Sequence, residues 1–204
     1  MKIKLYAFTL IAAIASSNSL AGIGNDFSYV GVGAQYNEFK DLDFTPEVED
    51  NGYAPLTLSD DTSGFGTRFF FGHHFGQYLA FEAGATFFNS PSFALKNDST
   101  NLHNGKFSTF GLDLKAFATY PLTDSQFIRA HAGALLWDNE FEFVSGTSGD
   151  TSLGKSSNTE FSPLYGLGYG YAVNKHTALV LELESTEVAD VTLENISLSV
   201  LVKL

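Results

Sequence analysis

The sequence has no cysteine, few basic residues and, beyond its first residues, no long apolar run. The lack of cysteine excludes disulfides, thiolate zinc sites and thiol catalysis. Lys and Arg number 11 against 23 Asp and Glu, and the formal net charge of -12 would repel phosphate backbones, which excludes nucleic acid as a partner. Because no later run is long enough for a spanning helix, any membrane insertion must use strands.

The first 21 residues predict a secretory signal peptide. Two lysines precede the apolar run from Leu5 to Ala15, and small residues follow at Ser19 and Ala21. The run is about half the ~20 residues that a membrane-spanning helix needs. We therefore predict cleavage after Ala21, export through the inner membrane and a mature barrel domain over residues 22–204.

The mature chain alternates apolar and polar residues with a period of two. Aromatic residues make up 15% of the chain, glycines number 19, and the alternating stretches are bounded by turn-forming residues. This period is typical of half-buried β-strands. Eight stretches follow the pattern, near residues 27–39, 64–75, 78–88, 107–120, 127–137, 161–173, 177–185 and 196–204.

The connections between these stretches differ in length in a regular way. Short turns join the second to the third strand, the fourth to the fifth and the sixth to the seventh, whereas long segments at 40–62, 89–105 and 138–160 join the others. Short turns on one rim and long loops on the other are typical of outer-membrane barrels. The predicted fold is all-β: an eight-stranded antiparallel up-and-down transmembrane β-barrel with short periplasmic turns and long extracellular loops.

The two faces of the strands differ in chemistry. One face is aliphatic and aromatic, as at Phe81 and Leu181, and we expect it to meet lipid. The other carries small residues and charges, which a soluble barrel with an apolar core could not accommodate. We expect the charged face to line a narrow lumen, and the interior charge cluster to consist of Arg68, Glu82, Asp113, Lys115, Arg129, His131, Glu182 and Glu184.

Counting residues from the turn rim gives an expected layer within this cluster. Glu82, Lys115, His131 and Glu182 fall at similar heights, with Arg129 one step lower. An unpaired charge in a narrow lumen is strongly unfavourable. We therefore predict that Glu82 bridges to Lys115 or Arg129, and that this pair plugs the lumen.

Four segments carry a resemblance to a known family. The segment 71–84 ends in Phe-Glu82-Ala-Gly84, and the segment 116–123 contains Tyr-Pro-Leu-Thr. The other two segments are 161–172 and 196–204. Together they resemble the transmembrane barrel domain of the outer membrane protein A family and its single-domain relatives. The resemblance implies a place in the outer membrane of a Gram-negative cell, in contact with its lipid and lipopolysaccharide.

The last strand has a further implied role. In this family the alternating final strand is read by the barrel-assembly machinery, which implies that role here for Ile196, Leu198, Val200, Val202 and Leu204. The family's last strand usually ends in an aromatic residue rather than leucine. The family's interior acid and arginine are matched here by Gly170 and Val180. Because no peptidoglycan-binding domain follows Leu204, a wall-tethering role is not expected.

Three classes of function are open to a small barrel of this kind. A structural or surface-interaction protein fits best, and a small porin-like diffusion channel is the alternative, although eight strands leave an interior just filled by side chains. An enzyme acting on lipid fits least, because a lipid A deacylase would need His and Ser two apart on one strand, and none of the five histidines has that neighbour. Adjacent His73 and His74 point to opposite faces, so they form no metal pair. We expect no enzyme activity, cofactor or metal site.

Acidic residues concentrate in the predicted loops. We interpret them as a solvated cell surface that an extracellular partner could contact. Divalent-cation binding is the alternative, since carboxylate oxygens suit calcium or magnesium, but the twelve-residue calcium-loop spacing is absent. The residues are Asp41, Asp43, Glu47, Glu49, Asp50, Asp60 and Asp61 in the first loop and Asp138, Glu140 and Glu142 in the third.

Overall fold

The computed structural model describes residues 26–40, 57–89, 92–97, 100–145, 151–188 and 191–204. The predicted signal peptide lies outside these residues. Within them, no helix is long and apolar enough to cross a membrane. The described chain forms the strands β1 (Phe27–Phe39), β2 (Thr57–Asp61), β3 (Ser63–Phe75), β4 (Leu79–Phe87), β5 (Ser92–Asn97), β6 (Thr100–Pro121), β7 (Gln126–Ser145), β8 (Thr151–Ala172), β9 (Thr177–Val188) and β10 (Val191–Lys203).

Eight of these described strands close into a barrel. Around the ring they follow the order β1, β3, β4, β6, β7, β8, β9 and β10, and each pair of neighbours is antiparallel. The first and last strands close the ring, with Val32 opposite Val200. Closure pairs the backbone groups that an open sheet would leave bare in hydrocarbon. The predicted eight-stranded antiparallel barrel is confirmed.

The barrel has two different rims. We call the end that holds the short turns at 76–78, 122–125 and 173–176 the turn rim, and the opposite end the loop rim. In the first turn Gly76 has a φ of 61°, a left-handed conformation that L side chains rarely adopt. Its amide donates to Asp26 Oδ1 at 2.7 Å, which ties the start of β1 to the turn between β3 and β4.

The strands run further toward the loop rim than the alternation predicts. β7 continues to Ser145 and β8 begins at Thr151, so the predicted loop at 138–160 is wrong over most of its length. Likewise, the short strand β5 pairs with both β2 and β6 inside regions predicted as loop. The segments 100–106 and 151–160 are mainly polar in sequence, and a strand without an apolar face shows no period of two.

Several acidic residues are therefore not in loops. Asp60 and Asp61 end β2, and Asp138, Glu140 and Glu142 belong to β7. Residues 41–50, with the remaining acids of the predicted first loop, lie outside the described residues.

The outer face of the ring is apolar between two aromatic zones. Phe81 is 56% exposed while its neighbour Glu82 is 2% exposed. Phe161 lies toward the loop rim and Tyr171 toward the turn rim, and both are exposed. At about 3.3 Å per residue and a tilt of roughly 40°, the strand between them rises about 25 Å, the height of the apolar band of an outer-membrane barrel.

A cluster of buried apolar residues lies inside the ring, near the loop rim. We call it the loop-side apolar cluster, and its members come from β1, β7, β8, β9 and β10. Two partly buried residues, Phe88 and Val191, pack against it. Its members are Phe39, Leu135, Trp137, Leu164, Val188 and Leu193.

Candidate functional site: the interior charge cluster

The charged residues predicted inside the barrel all point into the lumen. They come from β3, β4, β6, β7 and β9, and their side chains are between 0 and 12% exposed. Alternation along each strand brings them inside, because every second residue of a barrel strand faces the interior. The structure joins all eight in one network of ion pairs and hydrogen bonds.

Arg68 links two carboxylates at one end of the network. Its Nη1 lies 2.9 Å from Glu82 Oε2, and its Nε and Nη2 donate to the two oxygens of Asp113 at 3.0 and 2.6 Å. The contact with Asp113 is a bidentate pair, the strongest geometry available to an arginine and a carboxylate. Thr86 Oγ1 also donates to Asp113 at 3.4 Å.

Glu82 binds three partners at the centre of the network. Besides Arg68, its Oε1 accepts from Arg129 Nη1 at 2.9 Å and from the Tyr29 hydroxyl at 3.0 Å. Of the two partners expected for Glu82, the structure brings Arg129 into contact. Lys115 lies opposite Glu82 in the strand register but pairs with Glu184 instead.

Two glutamates of β9 complete the network. Glu182 Oε2 lies 2.8 Å from Arg129 Nη2, and Glu184 contacts Lys115. His131 sits between them, with Nδ1 3.4 Å from Glu182 Oε1 and Nε2 2.9 Å from Glu184 Oε2. The network therefore sets four carboxylates against three permanent cations, with the His131 imidazole between two of the carboxylates.

Arg129 crosses the lumen. In the ring β4 and β9 lie on opposite sides, four strands apart in either direction, with β7 midway between them. The guanidinium of Arg129 on β7 contacts Glu82 of β4 and Glu182 of β9 together. One side chain thus ties opposite walls of the barrel across its centre.

Aromatic rings cover the charge cluster on the side of the turn rim. The Arg68 guanidinium lies 4.4 Å from the centre of the Phe70 ring, and that of Arg129 lies 4.3 Å from Phe117. Such cation-π contacts are strongest where water is excluded, and both rings are at most 3% exposed. Apolar rings therefore separate the charge cluster from the turn rim.

Glycines provide the space that the long charged side chains occupy. A Cβ added at Gly84 would lie 2.8 Å from both Arg68 Nη2 and Asp113 Oδ2, and one at Gly168 would lie 2.9 Å from Glu182 Cγ. Gly170 faces the ring of Phe127, and Val180 is fully buried.

Of the contacts in this network, sequence reasoning predicted the pairing of Glu82 with Arg129 and missed the others. Arg68 was expected inside but without a partner, and neither Tyr29 nor Asn195, which donates to Glu184 Oε1 at 3.0 Å, was singled out. The available signal was the alternation along each strand, which indicates the side chains that face the lumen. It could not give the pairing, because long side chains reach diagonally across strands that are staggered in the barrel.

A closed antiparallel barrel with an apolar exterior and a buried, charged lumen is the architecture of an integral outer-membrane protein. A family model narrows this class. The chain belongs to the OmpA-like transmembrane domain family, whose model matches residues 24–195. The predicted resemblance and the outer-membrane location are confirmed.

The curated relatives are longer than this chain. Outer membrane protein A of Serratia marcescens is 26% identical over 183 residues, covering 89% of this chain and 48% of that protein. Outer membrane protein A of Yersinia pseudotuberculosis is 31% identical over 121 residues, covering 58% of this chain and 32% of that protein. The chain therefore spans about half, or less, of the length of these relatives.

Two solved structures share the fold. Ail, the attachment invasion locus protein of Yersinia pestis, superposes with a TM-score of 0.51 at 12% identity, covering 90% of this chain and all of that one. Neisserial surface protein A gives a TM-score of 0.52 at 19% identity, covering 87% and 97% of the two chains.

Proposed function

We propose that this chain is a structural and surface-interaction protein of the outer membrane, with a closed barrel that anchors a contact surface at its loop rim. The proposal rests on the two contacts of Arg129, whose side chain joins Glu82 and Glu182 across the lumen. A barrel whose interior is tied together in this way acts as a rigid support rather than as a passage.

The loop rim is the side that we propose faces outward. Outer-membrane barrels place short turns in the periplasm and longer connections outside. The strands β7 and β8 continue past the aromatic zone at Phe161 and carry exposed Asp138. At the same rim Lys40 lies 2.9 Å from Glu38 and 3.7 Å from Glu194, and the hydrogen bond with Glu38 raises the pKa of Lys40. We propose that an extracellular partner contacts this acidic rim.

Export and assembly follow from the same proposal. The segment 1–21 acts as a cleaved signal peptide, and β10 is the strand that the barrel-assembly machinery reads. The apolar residues of that strand point outward, with Ile196 and Leu198 more than half exposed, so they are open to contact before the barrel enters lipid.

A small diffusion channel is the second candidate. The charge cluster favours it, because a polar interior is what a water-filled channel requires. The cross-lumen contacts of Arg129 oppose it. Planar-bilayer recording on the purified barrel separates the two candidates, since a channel conducts and a closed support does not.

Catalysis is not part of the proposal. The structure does bring Ser28 Oγ within 2.9 Å of His73 Nδ1 across β1 and β3, a pair that a search along single strands misses. Acyl transfer by a serine needs a third group that orients the histidine, together with oxyanion donors. The His73 imidazole packs against the ring of Phe75, at 4.5 Å between centroids. A phenylalanine cannot take the role of that third group, because it has no hydrogen-bonding atom in its side chain.

Cysteine labelling tests the outward loop rim. The chain has no cysteine, so a single substitution gives an unambiguous signal. On intact cells a membrane-impermeant maleimide should label Asp138→Cys at the loop rim, and should label Asp124→Cys in a turn only after the outer membrane is permeabilised. The reverse pattern would show that the barrel is inserted the other way and would defeat the surface-interaction proposal.

A further inference from the structure

The lumen contains a buried apolar cluster besides the charge cluster. The loop-side apolar cluster holds residues from β1 and β7, which lie on opposite sides of the ring. Its six members are between 0 and 5% exposed. The cluster is contiguous and buried along the half of the ring that runs from β1 through β10, β9 and β8 to β7.

The walls of β4 and β6 reach the same cluster through Phe88 and Gly111. Phe88 follows β4 and packs against the cluster. A Cβ added at Gly111 of β6 would lie 2.7 Å from Leu135 Cδ1 and 3.0 Å from Phe88 Cε2. The side chains of Leu135 and Phe88 therefore meet above a glycine, and they close the gap on the β4 and β6 side.

The two barriers are stacked along the barrel axis. On β7, His131 of the charge cluster precedes Leu135, and on β9, Glu184 precedes Val188. On both strands the apolar residue lies about 13 Å further along the strand at roughly 3.3 Å per residue, which is about 10 Å along the barrel axis at a tilt of roughly 40°. A solute entering from either rim would have to pass the two barriers one after the other.

Trp137 is the largest side chain of the apolar barrier, and it is fixed in place. It is 1% exposed, and its indole Nε1 donates to Ser162 Oγ at 2.8 Å on the neighbouring strand β8. Because its one polar atom is satisfied, the ring offers nothing for water to bind. Apolar constrictions of this kind stop ions by excluding water.

We propose that the loop-side apolar cluster is a second closure of the lumen, and that it keeps the barrel impermeable when the ion pairs of the charge cluster are broken. This inference rests on the proposed closed barrel and adds the residues that close it. It differs from the sequence-based expectation that a pair made by Glu82 alone plugs the lumen.

Planar-bilayer recording on four proteins tests the inference: the wild type, Glu82→Ala, Trp137→Ala and the double variant. Folding of each is checked first by circular dichroism and by the heat-dependent gel migration of folded barrels. We expect the wild type and both single variants to show no events above the bare bilayer, and the double variant to conduct. Trp137→Phe combined with Glu82→Ala is the matched control, and it should stay closed because the ring still fills the site.

The outcomes separate the two proposals. A conducting wild type would overturn the closed-barrel function itself. If the wild type is closed but Glu82→Ala conducts as strongly as the double variant, the apolar cluster is no barrier, and the inference fails while the closed barrel stands. A closed, folded double variant would also overturn it. Should the double variant not fold, Leu193→Ala replaces Trp137→Ala in the same series.

Discussion

Glu82→Ala should destabilise the barrel more than a substitution that removes only one contact of the charge cluster. Glu82→Ala deletes the contacts with Arg68 at 2.9 Å, with Arg129 at 2.9 Å and with Tyr29 at 3.0 Å. It leaves two guanidinium groups buried beside an empty site. Deleting one partner of a buried pair costs about 3 to 5 kcal/mol. Because Arg68 keeps Asp113 and Arg129 keeps Glu182, we expect a loss toward the lower end of this range.

The assay is reversible urea unfolding of the barrel in lipid vesicles, with Glu82→Gln as the matched control of equal size. The glutamine variant should lose less stability, because it still fills the site and can accept from one arginine. A double-mutant cycle with Arg129→Ala should give a coupling energy of about 0.5 to 3 kcal/mol. The same cycle with Lys115→Ala should couple less, because Lys115 pairs with Glu184. Additive losses for Glu82 and Arg129 would refute the cross-lumen tie.

Three further predictions concern the membrane and assembly. Phe81→Arg places a cation in the apolar band and should cost about 2 to 4 kcal/mol by urea titration, whereas Leu122→Arg in a turn should cost little, and equal losses would contradict the assignment of the lipid face. Deleting residues 199–204 should abolish insertion, measured as loss of protease resistance in extracted membranes, because an open barrel leaves backbone groups unpaired in hydrocarbon; a resistant truncated chain would refute this. N-terminal sequencing of the membrane-bound protein should begin at residue 22, and a start at Met1 would contradict the signal peptide.

The barrel itself could be predicted from the sequence because the bilayer imposes a strict pattern. Each strand in lipid must present an apolar face outward, so Leu79, Phe81 and Ala83 alternate with Ala80 and Glu82 without interruption. Outside the bilayer that constraint disappears. The extensions of β6 and β8 are mainly polar in sequence, so they lack an apolar period and were predicted as loops.

The candidate site was predictable in its members but not in its connections. Parity along the strand places each charge inside the lumen. The choice of partner depends on the stagger of the strands and on the reach of each side chain. Arg68 on β3 thus meets Asp113 on β6, with β4 and Gly84 between them. The loop-side apolar cluster was missed because Trp137 lies where the fifth alternating stretch was expected to end.

The central claim is that side chains close the lumen, with Arg129 held between Glu82 and Glu182. The most direct measurement is a crystal structure of the barrel in a lipidic phase, at a resolution that places ordered water. We expect one guanidinium in contact with both carboxylates and no continuous file of water past this level. A water-filled passage between Glu82 and Glu182, with Arg129 turned to one wall, would contradict it.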